Sequence, residues 1–252
     1  RLGARVVRVE QPRGDPMRQT ARDWHDALNA GKESVVCDLP ADLRLAQALL
    51  ERADVVLESF RPGVAARLGI GPADAPARTV YCSITGFGLG GEHEQRAGHD
   101  LNYVGFAGLL ETTAPALPPV QAADLAAGAL GAVSEVLAAL LARERTGEGA
   151  RLVISMTHGA HRLLPGAPVL TEGFACYSIY DCADGRRLTA AALEPRFFGR
   201  LCELVGTPEL ADRQYDADQP ALRAELANVF ATRSLEDWLH VFEGEDVCVG
   251  PV

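Results

Sequence analysis

Short β-branched runs recur at residues 5–10, 34–38, 54–58 and 79–84, with an apolar-periodic helix over 40–52 between two of them. Strands alternating with helices at this spacing predict a parallel sheet covered by helices, because a parallel crossover takes a helix-length connection. In such sheets ligands sit beyond the carboxyl ends of the strands. The loops at 11–16, 61–63 and 86–91 follow strands and therefore bound the region where a site is expected. Residues 1–4 read as the last turn of a helix ahead of the first strand, and a short helix carries Arg67 before Gly69.

Further along, residues 122–145 form the longest helix, and Thr146-Gly147-Glu148-Gly149 ends it with glycines suited to a helix terminus. A strand follows over 151–155, and the pattern then dissolves into Pro165-Gly166-Ala167-Pro168. Two strands, 177–182 and 187–192, flank Ala183-Asp184-Gly185-Arg186 as a hairpin. Helices are expected from Glu194-Pro195 to about 205, over 221–232, and from Ser234 to about 242, where Ser234 stands three residues before Asp237. The domain reading is a large domain over 1–157, a linker over 158–173 and a small α+β domain over 174–252.

Composition removes several functions. The formal charge is -10 with no lysine or arginine stripe, which argues against nucleic-acid binding. An anionic ligand must then be held by local arginines and backbone N–H groups. The chain is read as having no apolar run of membrane-spanning length, so no membrane partner is expected. The six cysteines form no C-x-x-C pair and predict reduced, buried thiols in a cytoplasmic protein. His158 and His161 share a helix face without a third ligand nearby, so no metal site is expected. Gly86-Phe87-Gly88-Leu89-Gly90-Gly91 departs from G-x-G-x-x-G and reads as a loop that lets a ligand approach the backbone, not as a dinucleotide fingerprint.

Proton-transferring groups stand out between 97 and 145. His99 lies in Gly98-His99-Asp100-Leu101-Asn102-Tyr103, and Asp124 opens the long helix. Taken alone, Asp124 is a helix N-cap, His99 a hydrogen-bonded structural histidine, and Glu194 a flank of the following helix start. Arg61 reads as a turn residue, Arg67 as an exposed helix residue and Asp100 as a group that orients its neighbours.

Several segments, in order over nearly the whole chain, resemble the class III CoA-transferase family (CaiB/BaiF). They are Val9-Glu10-Gln11-Pro12-Arg13-Gly14-Asp15, Gly31-Lys32, Asp38-Leu39, the run from Ala53 to Val64, Gly86-Phe87-Gly88, and Thr146-Gly147-Glu148-Gly149. Within that family the stretch 98–103, Ala192-Leu193-Glu194-Pro195-Arg196-Phe197 and the end from Asp246 to Val252 look most like the α-methylacyl-CoA racemase branch.

The resemblance implies a Rossmann-like large domain, a small domain and an interlocked homodimer with active sites shared between subunits. It implies that His99 and Asp124 are the acid/base pair, that Glu194 is a small-domain glutamate at the site, and that Arg61 and Arg67 lie near the CoA phosphates and adenine. No cofactor is implied, since coenzyme A enters as part of the thioester. Family members begin with another strand and most of a helix before Arg1 and continue past Val252, so the chain looks truncated at both ends. Ala30 and Glu33 replace basic residues that often flank Gly31-Lys32.

The reaction expected is racemisation of a 2-methylacyl-CoA, with a base on one face of the α-carbon, an acid on the other and donors for the enolate oxygen. The helix start at Asp124 is expected to supply those donors, and its dipole to favour Asp124 as a carboxylate. The alternatives are CoA transfer between carboxylic acids with Asp124 as nucleophile, and a truncated paralogue that binds acyl-CoA without turnover.

Overall fold

The structure, a computed structural model, describes residues 2–171 and 173–252. The helix end expected at 1–4 includes Arg1, which lies outside the described residues, and residues 2–4 are irregular. Glu172, inside the expected linker, also lies outside them. The chain divides into two compact units, Arg1–Leu164 and Pro165–Val252.

In the first unit β1 (Val7–Glu10) pairs with β2 (Glu33–Val36), and β3 (Val55–Glu58), β4 (Val80–Thr85) and β5 (Arg151–Ser155) pair in that order, every ladder parallel. The parallel pairing agrees with the alternating pattern. Where a single sheet was expected there are two, because no described strand pairs with both groups. The central strand β4 buries Val80, Tyr81, Cys82 and Thr85, whereas β1 and β2 leave Val7, Val9 and Val36 exposed.

Helices α1 (Met17–Thr20) and α2 (Arg22–Asn29) arise from a stretch legible only as polar. The single buried residue of α2 is His25. Polar bonds take the place of an apolar face. Arg8 Nη1 lies 2.9 Å from His25 Nε2, whose Nδ1 lies 2.9 Å from Asp26 Oδ1. Arg18 and Ser34 donate to buried Glu10 at 2.7 and 2.5 Å, and Arg8 also pairs with Asp15. The amphipathic helix α3 (Leu43–Arg52) buries Ala46 and Leu50, one turn apart, and Leu50 packs with Ala75 and Tyr81.

After α4 (Val64–Arg67) and β4 come α5 (Asp100–Phe106) and a 3₁₀ turn at Leu109–Thr112. The long helix begins as a π-helix, Ala122–Leu130, and continues as α6 (Gly131–Thr146). Gly147, at φ +75°, closes it by donating to the Arg143 carbonyl. Gly149 runs directly against the Thr79 carbonyl, leaving no room for a Cβ.

The expectation that no run reaches membrane-spanning length is corrected here. The 25-residue helix Ala122–Thr146, with a mean hydropathy of 1.9 in its most apolar part, is long and apolar enough to cross a membrane by length and composition alone. Its inner face is small and apolar: Ala122, Ala123, Ala127, Gly128 and Ala132 are buried, and Ala132 meets Cys82 and Ile154 of the sheet. Its outer face leaves Leu130, Val133, Leu137 and Leu141 exposed.

Helix α7 (Met156–His161) follows β5, with Ser155 Oγ accepting from the His158 N–H at 3.3 Å. Residues 158–161, read as the start of a patternless linker, are thus helical; a short helix without apolar periodicity gives no signal in sequence.

The second unit contains the expected hairpin, β6 (Tyr177–Asp181) against β7 (Arg187–Ala191), and an unforeseen third strand, β8 (Val249–Pro251), on β7. Around it lie α8 (Pro195–Val205), a 3₁₀ helix at Pro208–Arg213, α9 (Gln219–Phe230) and α10 (Leu235–Val241). Ser234 caps α10 by accepting from the Asp237 N–H at 3.2 Å. Tyr180, Leu188, Phe198, Leu201, Leu222, Phe230 and Trp238 form this unit's core.

Candidate active site

The long helix starts under a carboxylate that comes from elsewhere. Asp100, the first residue of α5 and only 5% exposed, accepts at Oδ1 from the N–H groups of both Ala123 and Asp124, each at 2.8 Å. The Leu125 N–H is donated to the Gln121 carbonyl at 3.0 Å. Three amides at this helix start are therefore occupied, which corrects the expectation that they would receive an enolate. It also corrects the reading of Asp124 as the N-cap: Gln121 occupies that position, and Asp100 satisfies the amides across space.

Asp124 is left half-buried, and among the described residues its Oδ1 is buried with no hydrogen-bond partner. Its carboxyl is raised above the usual range by burial first and by the Asp100 charge second, with His99 opposing them. The expected stabilisation of the carboxylate by the helix dipole is overridden. Burial and a neighbouring like charge both favour the protonated form.

His99 is the N-cap of α5, extended at φ -127° and ψ 177°, and its side chain is exposed. Its backbone N–H is accepted by Asn102 Oδ1 at 3.1 Å, which fixes the turn entering the helix. One helix start thus presents His99 at its cap and Asp100 in its first turn, and Asp100 holds the start of the helix bearing Asp124. His99 and Asp100 are consecutive in the chain, so the helix start that carries His99 also holds the start of the helix carrying Asp124.

Tyr103, one turn after His99, was not singled out from the sequence. It is buried, and its hydroxyl donates to the Gly98 carbonyl at 2.6 Å. A Cβ on Gly86 would stand 2.5 Å from the Tyr103 ring, and one on Gly98 would stand 2.7 Å from it. The first glycine of the 86–91 run therefore makes room for Tyr103, not for a ligand. Burial raises the Tyr103 hydroxyl, the Asp124 charge raises it further, and the Arg61 charge lowers it. The signal that was available is the spacing: an asparagine three residues and an aromatic four residues after His99, on a helix that was not foreseen.

Arg61 is exposed in the turn after β3, and Arg67 is exposed in the last turn of α4 behind Gly63 at φ +81°. Gln95 Nε2 donates to the Pro62 carbonyl at 3.2 Å, tying that turn to the loop leading into His99.

Glu194 belongs to the second unit. It is exposed at the N-cap of α8, and its carbonyl accepts from Phe197 and Phe198. The segment before it is pinned by Gln214, which is buried and donates to the carbonyls of Ala192 and Leu193 at 3.1 and 2.8 Å. Among the described residues no three of His, Cys, Asp and Glu gather as a metal site. On α7, His161 Nδ1 donates to the Ala107 carbonyl at 3.0 Å.

A family profile described as CoA-transferase family III matches residues 1–252. The human protein named alpha-methylacyl-CoA racemase is 34% identical over 279 aligned positions, covering 100% of this chain and 71% of that protein. The mouse succinyl-CoA:glutarate CoA-transferase is 30% identical over 100% of this chain and 66% of its own length. A crystal structure of Rv3272 from M. tuberculosis superimposes with a TM-score of 0.84 at 31% identity, covering 99% of this chain and 76% of that one.

Proposed function

This chain belongs to CoA-transferase family III, and we propose that within it the reaction is racemisation of a 2-methylacyl-CoA thioester. The observation that carries this reading is geometric: Asp100, adjacent to His99 at the start of α5, accepts the N–H of a half-buried Asp124 at 2.8 Å, so one helix start holds both proton carriers. Inversion needs a base on one face of the carbon and an acid on the other, and a carboxyl raised by burial is suited to the acid's part. Identity to the human racemase supports the same choice.

In one direction the neutral His99 imidazole takes the α-proton, and the C–H electron pair moves into the carbonyl to give the enolate. Asp124, protonated, delivers its proton to the other face and becomes the carboxylate. The reverse reaction exchanges the roles. Asp100 fixes Asp124 by holding its N–H and keeps its carboxyl raised. Arg61 and Arg67 take the CoA phosphates. Glu194 acts on the site of a second copy in a homodimer. Its exposed side chain on a pinned loop and the outward stripe of Leu130, Val133, Leu137 and Leu141 support that arrangement. Six free cysteines support a reducing, cytoplasmic setting.

The test is incubation of one epimer of a 2-methylacyl-CoA in D2O. The expected result is α-deuterium incorporation with loss of stereochemical purity, reduced about 10²–10⁴-fold in Asp124→Asn and in His99→Gln. Absence of α-deuterium at any protein concentration overturns the reading.

CoA transfer is the second reading, favoured by the unpartnered Asp124 Oδ1. There the Asp124 carboxylate attacks the thioester carbonyl, the C–S bond breaks, and CoA thiolate leaves an acyl-aspartyl anhydride. The thiolate then attacks the aspartyl carbonyl, expelling the carboxylate and leaving an aspartyl-CoA thioester. A CoA adduct on Asp124, seen by mass spectrometry after an acyl-CoA donor is added, establishes this reading over the first.

A further inference from the structure

Helix α5 brings more to the site than its first turn. Leu101, Asn102, Gly105 and Phe106 lie on one side of it, and with Leu110 they line an open cleft of about 540 Å³. It is a shallow depression, open to solvent over most of its face. No charged side chain lines it. Leu101 and Phe106 are 46% and 45% exposed, so apolar surface is left open to water. Phe106 is held on its other side by Phe87 and His93, with ring centroids at 5.2 and 4.9 Å, and by Arg96 over its ring at 4.7 Å. That wall is braced.

The cleft adjoins the candidate site at Asn102, which lines it and also accepts from the His99 N–H. On the other approach to His99, Gln95 ties the loop to the turn that bears Arg61. Asn102 thus joins His99 to uncharged apolar surface, and Gln95 joins the preceding loop to the turn that bears Arg61. A molecule that is polyanionic at one end and aliphatic at the other matches both.

We propose that this cleft seats the aliphatic chain of the acyl-CoA, with Gly105 as its floor and Leu101, Phe106 and Leu110 as its walls, so that chain length is read there. This rests on the reading that the site handles acyl-CoA thioesters. Gly105 sets the depth. A Cβ there would stand 3.4 Å from Leu110 Cδ1, the movable end of a flexible side chain, so a larger residue fits by entering the cleft.

The experiment measures binding of free CoA and of saturated acyl-CoAs with four to twelve carbons by titration calorimetry, with α-deuterium exchange followed separately. For the wild-type chain the affinity is expected to rise about two- to fourfold per methylene until the cleft is full. Gly105→Leu flattens this series, with a tenfold or larger loss for the longest chain and CoA affinity kept within twofold. Leu101→Asp, at an exposed position in a first helical turn where an acidic residue is tolerated, does the same without any folding burden. A wild-type series independent of chain length, or one unchanged in both variants, overturns the proposal. So does a change in oligomeric state with an unchanged series, since a second copy then covers the cleft. The two readings fail separately: a length-dependent series without α-exchange keeps the cleft and removes the racemase, while exchange with a flat series removes the cleft alone.

Discussion

Removing the Asp100 carboxylate tests the architecture of the site most directly, because one buried oxygen receives two amides of the helix that bears Asp124. In Asp100→Ala both N–H groups lose their acceptor. Hydrogen bonds to charged groups contribute about 1.5–3 kcal/mol each, but these two share Oδ1 and are not independent, so about 3–5 kcal/mol is expected. That is a large part of the roughly 5–15 kcal/mol that holds a typical domain. Asp100→Asn keeps a neutral acceptor in place and is expected to cost about 1–2 kcal/mol. Urea unfolding reads both, and amide exchange at Ala123 and Asp124 localises the loss.

The same pair of variants separates structure from chemistry. With Asn at position 100 the like charge that helps to raise Asp124 is gone, so the Asp124 carboxyl titrates lower. The limb of the pH–rate profile for α-deuterium exchange that reports Asp124 then moves to lower pH. A loss below about 0.5 kcal/mol in Asp100→Ala, the size of an ordinary surface substitution, or a limb that moves upward in Asp100→Asn, refutes the argument.

Three further outcomes are expected. Asp124→Asn slows exchange about 10²–10⁴-fold yet stabilises the chain at neutral pH. The folded-state carboxyl is raised above its ordinary value of 3.8, so wild-type stability falls as pH rises from that value through the folded one, and thermal melts of the two proteins converge below about pH 4. Tyr103→Phe removes the bond to the Gly98 carbonyl, costing about 1 kcal/mol, and lowers kcat for exchange while leaving CoA affinity within twofold. Glu10 is held below the usual carboxylate range, chiefly by the Ser34 hydroxyl and then by Arg8 and Arg18. Its contribution is present above its unfolded value and is lost as pH falls through the lower folded one, so Glu10→Gln narrows the stability gap between pH 7 and pH 3.

The sequence by itself determined the parallel strand pattern, the hairpin of the second unit and helices α3, α8, α9 and α10, because β-branched runs, apolar periodicity and capping residues act over a few neighbours. It also brought His99, Asp100 and Asp124 forward. Tertiary structure decided what surrounds those residues. Helix α2 leaves its apolar Trp24 and Leu28 exposed, and α5 spans only seven residues. The first is held by an Arg8–His25–Asp26 chain and buried Glu10, and the second by Tyr103 filling the space left by Gly86 and Gly98. The state of Asp124 depends on a residue 24 positions away in the chain. Position at a helix start predicted a favoured carboxylate; burial and the Asp100 charge reverse that. Local sequence records which groups a turn can present. The field each group feels is summed over everything that packs around it, and only the folded chain supplies that sum.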